Sequence, residues 1–289
     1  MLIRSAAFVV CVIALTAPAS AASLNEVWRA TGFDLPESVT FDPATQAFYV
    51  SNMGTNPTDK DGNGFIARLD AAGNVTDLKW VTGLNAPKGT IVADGKLYVT
   101  DIDQVVEIDI ASGAIANRYP AEGAQFLNDI AIAPDGRIFV ADTFINAVYV
   151  LEDGALSIWL QDPSVVGPNG LVVMDGNLLV AELGDASGGF ENLVPGAVKS
   201  VDLETKAVSD FGPPSPVGGL DGIEIFGADS VTVTDNPGGR LLAITPGEPV
   251  TELGVLSPGT ADHEWVPAQN VFVIPNLQIS EVAGYELVE

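Results

Sequence analysis

The chain has 289 residues and carries 38 acidic side chains against 12 basic ones, a formal net charge of −26. Such a charge repels phosphate backbones and anionic bilayers, which removes nucleic acid and membrane surfaces as partners and favours cations. The single cysteine, Cys11, excludes an intramolecular disulfide, so the fold must be held by packing or by bound metal.

In chain order, Arg4, the apolar run 6–15 and Ala19-Ser20-Ala21 read as a secretory signal over residues 1–21, with Ala22 as the new N-terminus. The run breaks at Pro18, short of the roughly 20 apolar residues that span a bilayer. Cys11 lies inside it, with apolar sequence following, and does not read as a lipid-attachment site. This predicts a bacterial periplasmic or extracellular protein, with no membrane insertion of the mature chain and 22–289 as one domain.

Within that domain one unit recurs. An apolar strand, a tight turn and a second apolar strand appear at 39–52, 90–101, 128–142, 170–182, 223–235 and 264–276, with Gly in the turn of the middle four. After 128–142, residues 146–160 supply a third strand, an Asp-Gly turn at 153–154 and a fourth strand. Four short antiparallel strands at a period of roughly 41 residues make one propeller blade. The period lengthens by about ten residues in two places, and no helical 3.6-residue stripe competes with it. The sixth unit runs out after three strands, near 280–287, and residues 25–31 can supply its missing outer strand, which leaves no free sheet edge. The predicted fold is therefore all-β: a six-bladed β-propeller of four-stranded antiparallel blades, closed by an N-terminal strand.

The first residue of each innermost strand faces the central channel of such a fold. That position reads Glu37, Lys88, Asn128, Asn169, Asp221 and Asp262, with His263 as the alternative in the sixth unit. Glu37, Asn128, Asn169 and Asp221 form an oxygen-only donor set without thiolate or imidazole. It suits hard divalent ions such as Ca²⁺, Mg²⁺ or Mn²⁺ better than Zn²⁺. Asn and Asp also cap strand ends, a role that explains any one of them but accounts poorly for four at matched positions. A second polar set, Asn52, Asp101, Asp142, Glu182, Asp235 and Asn276, ends each second strand and is expected to satisfy backbone N–H groups there.

Leu35-Pro36-Glu37, Phe126-Leu127-Asn128-Asp129, Pro168-Asn169-Gly170 and Leu220-Asp221-Gly222 resemble, in order along the whole mature chain, the metal-binding motifs of the senescence marker protein/gluconolactonase family. That group includes regucalcin and luciferin-regenerating enzyme, and is related in architecture to diisopropyl fluorophosphatase and paraoxonase. The resemblance implies that Glu37, Asn128, Asn169 and Asp221 ligate a divalent metal, usually calcium, in a hydrolase of lactones and related esters. In such an enzyme Asp221 is the expected base that activates water, or the nucleophile, and the neighbouring Asp129 positions that water or binds substrate hydroxyls. Lys88 departs from the family's ring. It can pair with Asp262 or Glu37, orient a substrate carboxylate, or act as a base with a depressed pKa, and the ion pair is the favoured expectation. His263, the single histidine, is a candidate general base beside a metal, although a lone histidine is more often a packing residue.

Two insertions, 54–64 and 184–196, read as rim loops that can form a lid. Asp59-Lys60-Asp61-Gly62-Asn63-Gly64, with Asp70 following, matches half of a calcium-loop pattern, but 65–69 reads as a strand and a solvated turn is expected. Propellers host unrelated functions. A non-enzymatic propeller with a structural calcium, binding a ligand or protein, therefore stands as the second reading. A metal-free relative of plant alkaloid synthases stands third, disfavoured because all four ligand positions carry oxygen donors.

Overall fold

The protein is described by a computed structural model covering residues 22–214 and 216–288. The signal expected over 1–21 lies outside the described residues. Six four-stranded antiparallel sheets make six blades. Blade one is Pro36–Asp42, Ala47–Asn52, Gly64–Asp70 and Val75–Leu84, from the channel outwards. The inner strands of blades two to six are Pro87–Ala93, Leu127–Ile132, Pro168–Met174, Leu220–Ile225 and Glu264–Val266. Blade six takes its outermost strand from the N-terminal side: Ser23–Thr31 pairs antiparallel with Glu281–Val288, so the closure expected from residues 25–31 is present and starts two residues earlier.

The blades are held together by side chains alternating across each sheet. In the second strand of blade one, Phe48 and Val50 enter the apolar cluster shared with blade six, and Tyr49 enters the cluster shared with blade two. Both faces of the strand are buried, which is why it reads as one continuous apolar run. Four further clusters fill the remaining blade interfaces. The Asp94-Gly95, Asp153-Gly154 and Asp175-Gly176 turns have positive φ at both residues, the hairpin geometry whose twist matches the strands.

One irregularity recurs. Pro36 pairs with Asn52, and the next pairing is Val39 with Val50: three residues advance on the inner strand against two on its partner. The same one-residue excess occurs at the start of the inner strands of blades two to five. A bulge of this kind leaves residues out of the ladder and re-aims their side chains. Where the residue after the channel-facing one is glycine, the next blade fills the space of its missing side chain. A Cβ on Gly222 would lie 2.2 Å from Asp262 Oδ1, and one on Gly89 2.6 Å from Asp129 Cα, so these glycines allow the inner strands to close tightly around the axis.

Candidate functional site

The bulges deliver Glu37, Lys88, Asn128, Asn169 and Asp221 into one cavity of about 370 Å³ at a mouth of the channel. None is more than 5 % exposed. In blade six, Thr260 bridges Asn276 and Glu264 pairs with Val273, so the matching position is Ala261 and not Asp262. The polar ring predicted from the sequence therefore has five members. Asp262 sits one level down, where its Oδ2 accepts a 2.6 Å hydrogen bond from Ser38 Oγ.

The orientation of the ring amides follows from their donors. Asn128 Nδ2 donates to Thr143 Oγ1 at 3.2 Å, and Asn169 Nδ2 donates to the Leu220 carbonyl at 3.3 Å. Both Oδ1 atoms are left buried without a hydrogen-bond partner, as is Glu37 Oε2. An orphaned buried acceptor costs about 1–3 kcal/mol. Three acceptors in one ring, beside the Asp221 carboxylate, make an oxygen donor set that a cation would satisfy. Burial, followed by the Asp221 charge, pushes the Glu37 carboxyl well above its ordinary value, and Lys88 only partly opposes this. Asp221 is pushed up to about 6 by burial, against the Asn236 amide, which donates to its Oδ2 at 2.6 Å. Two carboxylates and two amide oxygens fit a hard divalent ion in charge and donor chemistry, and supply part of the six to eight oxygens that calcium takes. Among the described residues no group of three or more His, Cys, Asp or Glu side chains is placed to hold a metal. The four-oxygen ring, with two carboxylates only, is a separate kind of donor set.

The second polar set is what holds this ring. Asp101 accepts from Asn85 and Ala86 N–H, Asp142 from Gln125 and Phe126, Glu182 from Val166, Asp235 from Gly219 and Asn52 from Asp34. Each acceptor fastens the loop leading into the neighbouring inner strand, two or three residues before the ring residue. In blade six Asn276 Oδ1 accepts from Gln278 and Ile279 N–H, while its Nδ2 fastens the entering loop by donating to the Ser257 and Pro258 carbonyls. The structural role expected of these six residues holds in every blade, and its consequence is the placement of the ring. Asp142, fully buried, also accepts from Phe144 N–H. Asp142→Ala orphans these donors and is expected to cost about 2–4 kcal/mol, read as a lowered thermal midpoint, with Asp142→Asn intermediate.

Three candidates do not take the roles expected of them. Lys88 makes no ion pair with Glu37 or Asp262. Its Nζ donates to the Pro57 and Ala86 carbonyls, both at 3.0 Å, and lies 4.2 Å from the Phe126 ring centroid. Burial pulls its pKa down to about 8, with the Glu37 charge opposing. Asp129 is one level below the ring, outside the mouth cavity, and its two oxygens accept the Ile130 and Leu171 N–H groups at 2.7 and 2.6 Å, clipping blade three to blade four. His263 lines neither end of the channel: Nε2 meets Thr232 Oγ1 at 2.8 Å, the ring packs on Phe272, and burial drops its pKa to about 3. It is a packing residue. The calcium-loop half-motif does not assemble either, because Gly64–Asp70 is an extended strand and Asp70 is engaged by Ala72 and Asn74 in its own turn.

Sequence reasoning missed two sets. Phe126, Phe144 and Phe190 line the mouth cavity from loops, where no period marks them. Glu224 and Glu264 reach the opposite end of the channel, in a cavity of about 260 Å³ that Asp129 and Asp262 also line. Their signal was present: they are acidic where matching inner strands carry Thr40, Ile91, Ala131 and Val172.

No protein-family model and no curated protein sequence matches this chain. Among solved structures it is similar to a protein assigned as a gluconolactonase, with a TM-score of 0.65 and 20 % identity over 93 % of each chain. It is similar to a luciferin-regenerating enzyme (0.65, 14 % identity, 93 % of this chain and 95 % of that one). It is also similar to a catalytically inactive virginiamycin B lyase from Staphylococcus aureus with quinupristin (0.63, 13 % identity, 92 % and 100 %). At these identities the likeness carries the six-bladed propeller, and any activity must be argued from the site.

Proposed function

We propose that the chain is a divalent-metal-dependent hydrolase of lactones or related small esters, with calcium held by Glu37, Asn128, Asn169 and Asp221. The observation that carries this reading is the ring of orphaned acceptors: Glu37 Oε2, Asn128 Oδ1 and Asn169 Oδ1, buried and unpartnered beside a second carboxylate. A bound divalent ion supplies Lewis acidity to the substrate carbonyl and charge stabilisation to the oxygen that becomes negative. The chain's own groups do the rest. Asn236 fixes the Asp221 carboxylate through Oδ2, and Asp221 accepts a proton from the attacking water. The water oxygen bonds to the carbonyl carbon, the acyl C–O bond breaks, and the proton returns to the departing alkoxide. Lys88, held by Pro57 and Ala86, is the one cation of the cavity wall among the described residues and orients the carbonyl end of the substrate. We place this activity in the periplasm or outside the cell, on the secretory signal expected over residues 1–21.

The test is metal content of the purified mature protein together with hydrolysis of a lactone panel. Activity that a chelator abolishes and Ca²⁺ or Mn²⁺ restores is the expected result; turnover undiminished by chelation overturns the scheme. The binding-propeller reading retains one specific support. With Asp129 and His263 outside the mouth, the titratable groups of that cavity are Glu37, Lys88 and Asp221 alone among the described residues. Bound calcium with no turnover of any lactone or ester decides for it.

A further inference from the structure

We infer that the ligand of the mouth cavity is an ester or lactone bearing an apolar chain or aromatic group, and not a polyhydroxylated sugar lactone; the inference rests on the hydrolase reading for the word ester, and on the cavity wall for the rest. Above the polar ring the wall turns apolar. Phe126 and Phe144 stack with centroids 4.3 Å apart and planes 18° from parallel, and Leu183, Phe190 and Leu193 continue the surface. Met53 and Leu277 face them from blades one and six. Phe144 and Phe190 remain 45 % and 65 % exposed, a large apolar surface to leave in water at a mouth.

The polar inventory of the same wall is small and largely committed. Thr143 Oγ1 donates to the Pro168 carbonyl, Asn236 Nδ2 donates to Asp221, and Lys88 spends two of its three N–H groups on backbone carbonyls. Apart from the ring oxygens, Asn236 Oδ1, the second N–H of each wall asparagine, the Gln278 amide and the last Lys88 N–H remain for a ligand among the described residues, all of them close to the ring and none on the phenylalanine face. A sugar lactone entering this space would turn hydroxyls onto the Phe126, Phe144, Phe190 and leucine side, which offers them no partner, and an unpaired buried hydroxyl costs binding. An alkyl or aryl group meets the opposite terms, because its burial on phenylalanine and leucine is favourable.

Size agrees. The cavity of about 370 Å³ reaches the range of pockets that enclose drug-sized ligands, more than a bare lactone ring requires. A second recess of about 310 Å³, lined by Val166, Gly184 and Ala186 among others, shares Thr143, Phe144 and Phe190 with the first. The two phenylalanines therefore stand between two recesses, and a chain leaving the ring along the Phe126–Phe144 stack has somewhere to go.

The experiment has a kinetic arm and a binding arm on the metal-loaded mature protein. In the first, kcat/KM is compared for γ-butyrolactone, γ-decalactone and δ-gluconolactone. We expect γ-decalactone to exceed γ-butyrolactone by at least about tenfold, since each buried methylene is worth roughly three- to fourfold, and δ-gluconolactone to be the poorest. Phe144→Ala and Phe190→Ala both shrink the decalactone-to-butyrolactone ratio; their exposure makes a folding defect a poor explanation, and the thermal midpoint checks it. In the second, 2-heptylcyclopentanone, a ketone with no bond to hydrolyse, is titrated by calorimetry. Binding that weakens at least about fivefold in Phe144→Ala supports the inference even if no lactone is turned over, a result that removes the hydrolase reading alone. Preference for δ-gluconolactone, or ketone binding insensitive to both phenylalanines, overturns the inference and leaves the hydrolase reading standing.

Discussion

Asp221→Asn is expected to weaken divalent-metal binding by at least about 100-fold and to abolish lactone hydrolysis. The substitution keeps the shape of the side chain and can still accept from Asn236 Nδ2, so the 2.6 Å contact survives. What it removes is one of the two negative charges of the ring and the base of the proposed reaction. Affinity for a hard cation depends on the charge count of its ligands, and loss even of the groups that orient such ligands typically costs 10–100-fold. Glu37→Gln is expected to match it in metal binding, because Glu37 Oε2 is one of the orphaned acceptors. Calorimetric titration with Ca²⁺ reads the affinity, and thermal denaturation supplies an internal control. In chelator the Asn variant should be at least as stable as the parent, since a buried carboxylate has been neutralised; in excess Ca²⁺ the order should reverse. A variant that binds calcium as tightly as the parent would remove Asp221 from the ligand set.

The metal-free protein is expected to lose stability as pH rises from about 4 to about 7. Burial pushes the Asp129 carboxyl from 3.8 up to about 7, against the N–H groups of Leu171 and Ile130. Burial likewise pushes Glu264 from 4.5 up to about 7. Glu224 is raised by burial and then by Glu264, and Asp262 by burial and then by Asp129 and Glu37. The folded state thus holds these protons more tightly than the unfolded state does. For all four the stabilisation is fully present below the unfolded values near 4 and is lost as pH rises, through about 7 for Asp129 and Glu264. A tenfold difference in proton affinity between the two states corresponds to about 1.4 kcal/mol. Asp129, closed off from solvent, should contribute more than Glu264, which keeps some solvent contact. A fall of the chelated midpoint by at least about 5 °C between pH 5 and pH 7.5 is the expected reading. A flat or rising profile would show that these carboxyls ionise freely in the folded protein.

Much of this architecture was legible before any coordinate. The blade repeat, the closure by residues 25–31 and four of the ring's oxygen donors follow from local features: alternating strands, Asp-Gly turns and one polar residue at a fixed place in each unit. Such features are written within about 15 residues of one another, where turn chemistry and strand pairing act. The structural role of Asp101, Asp142 and their counterparts was legible for the same reason, since each meets a loop about 16 residues away.

What failed was anything that depends on one blade meeting another or on a one-residue register. A uniform period places Asp262 in the ring; the pairing of Thr260 with Asn276 puts Ala261 there and drops Asp262 one level, against Ser38 of blade one. Adjacency to Asn128 suggests a reactive Asp129, but its partner is Leu171, 42 residues on in the next blade. The expected ion pair of Lys88 gave way to the carbonyl of Pro57, brought over by the blade-one insertion. The sequence alone determined the propeller and the four oxygen donors, because repeated local pairing specifies both. The tertiary structure decided which acceptors are orphaned, which acids sit beneath them and that phenylalanines wall the mouth, because these depend on how six bulged strands close around one axis.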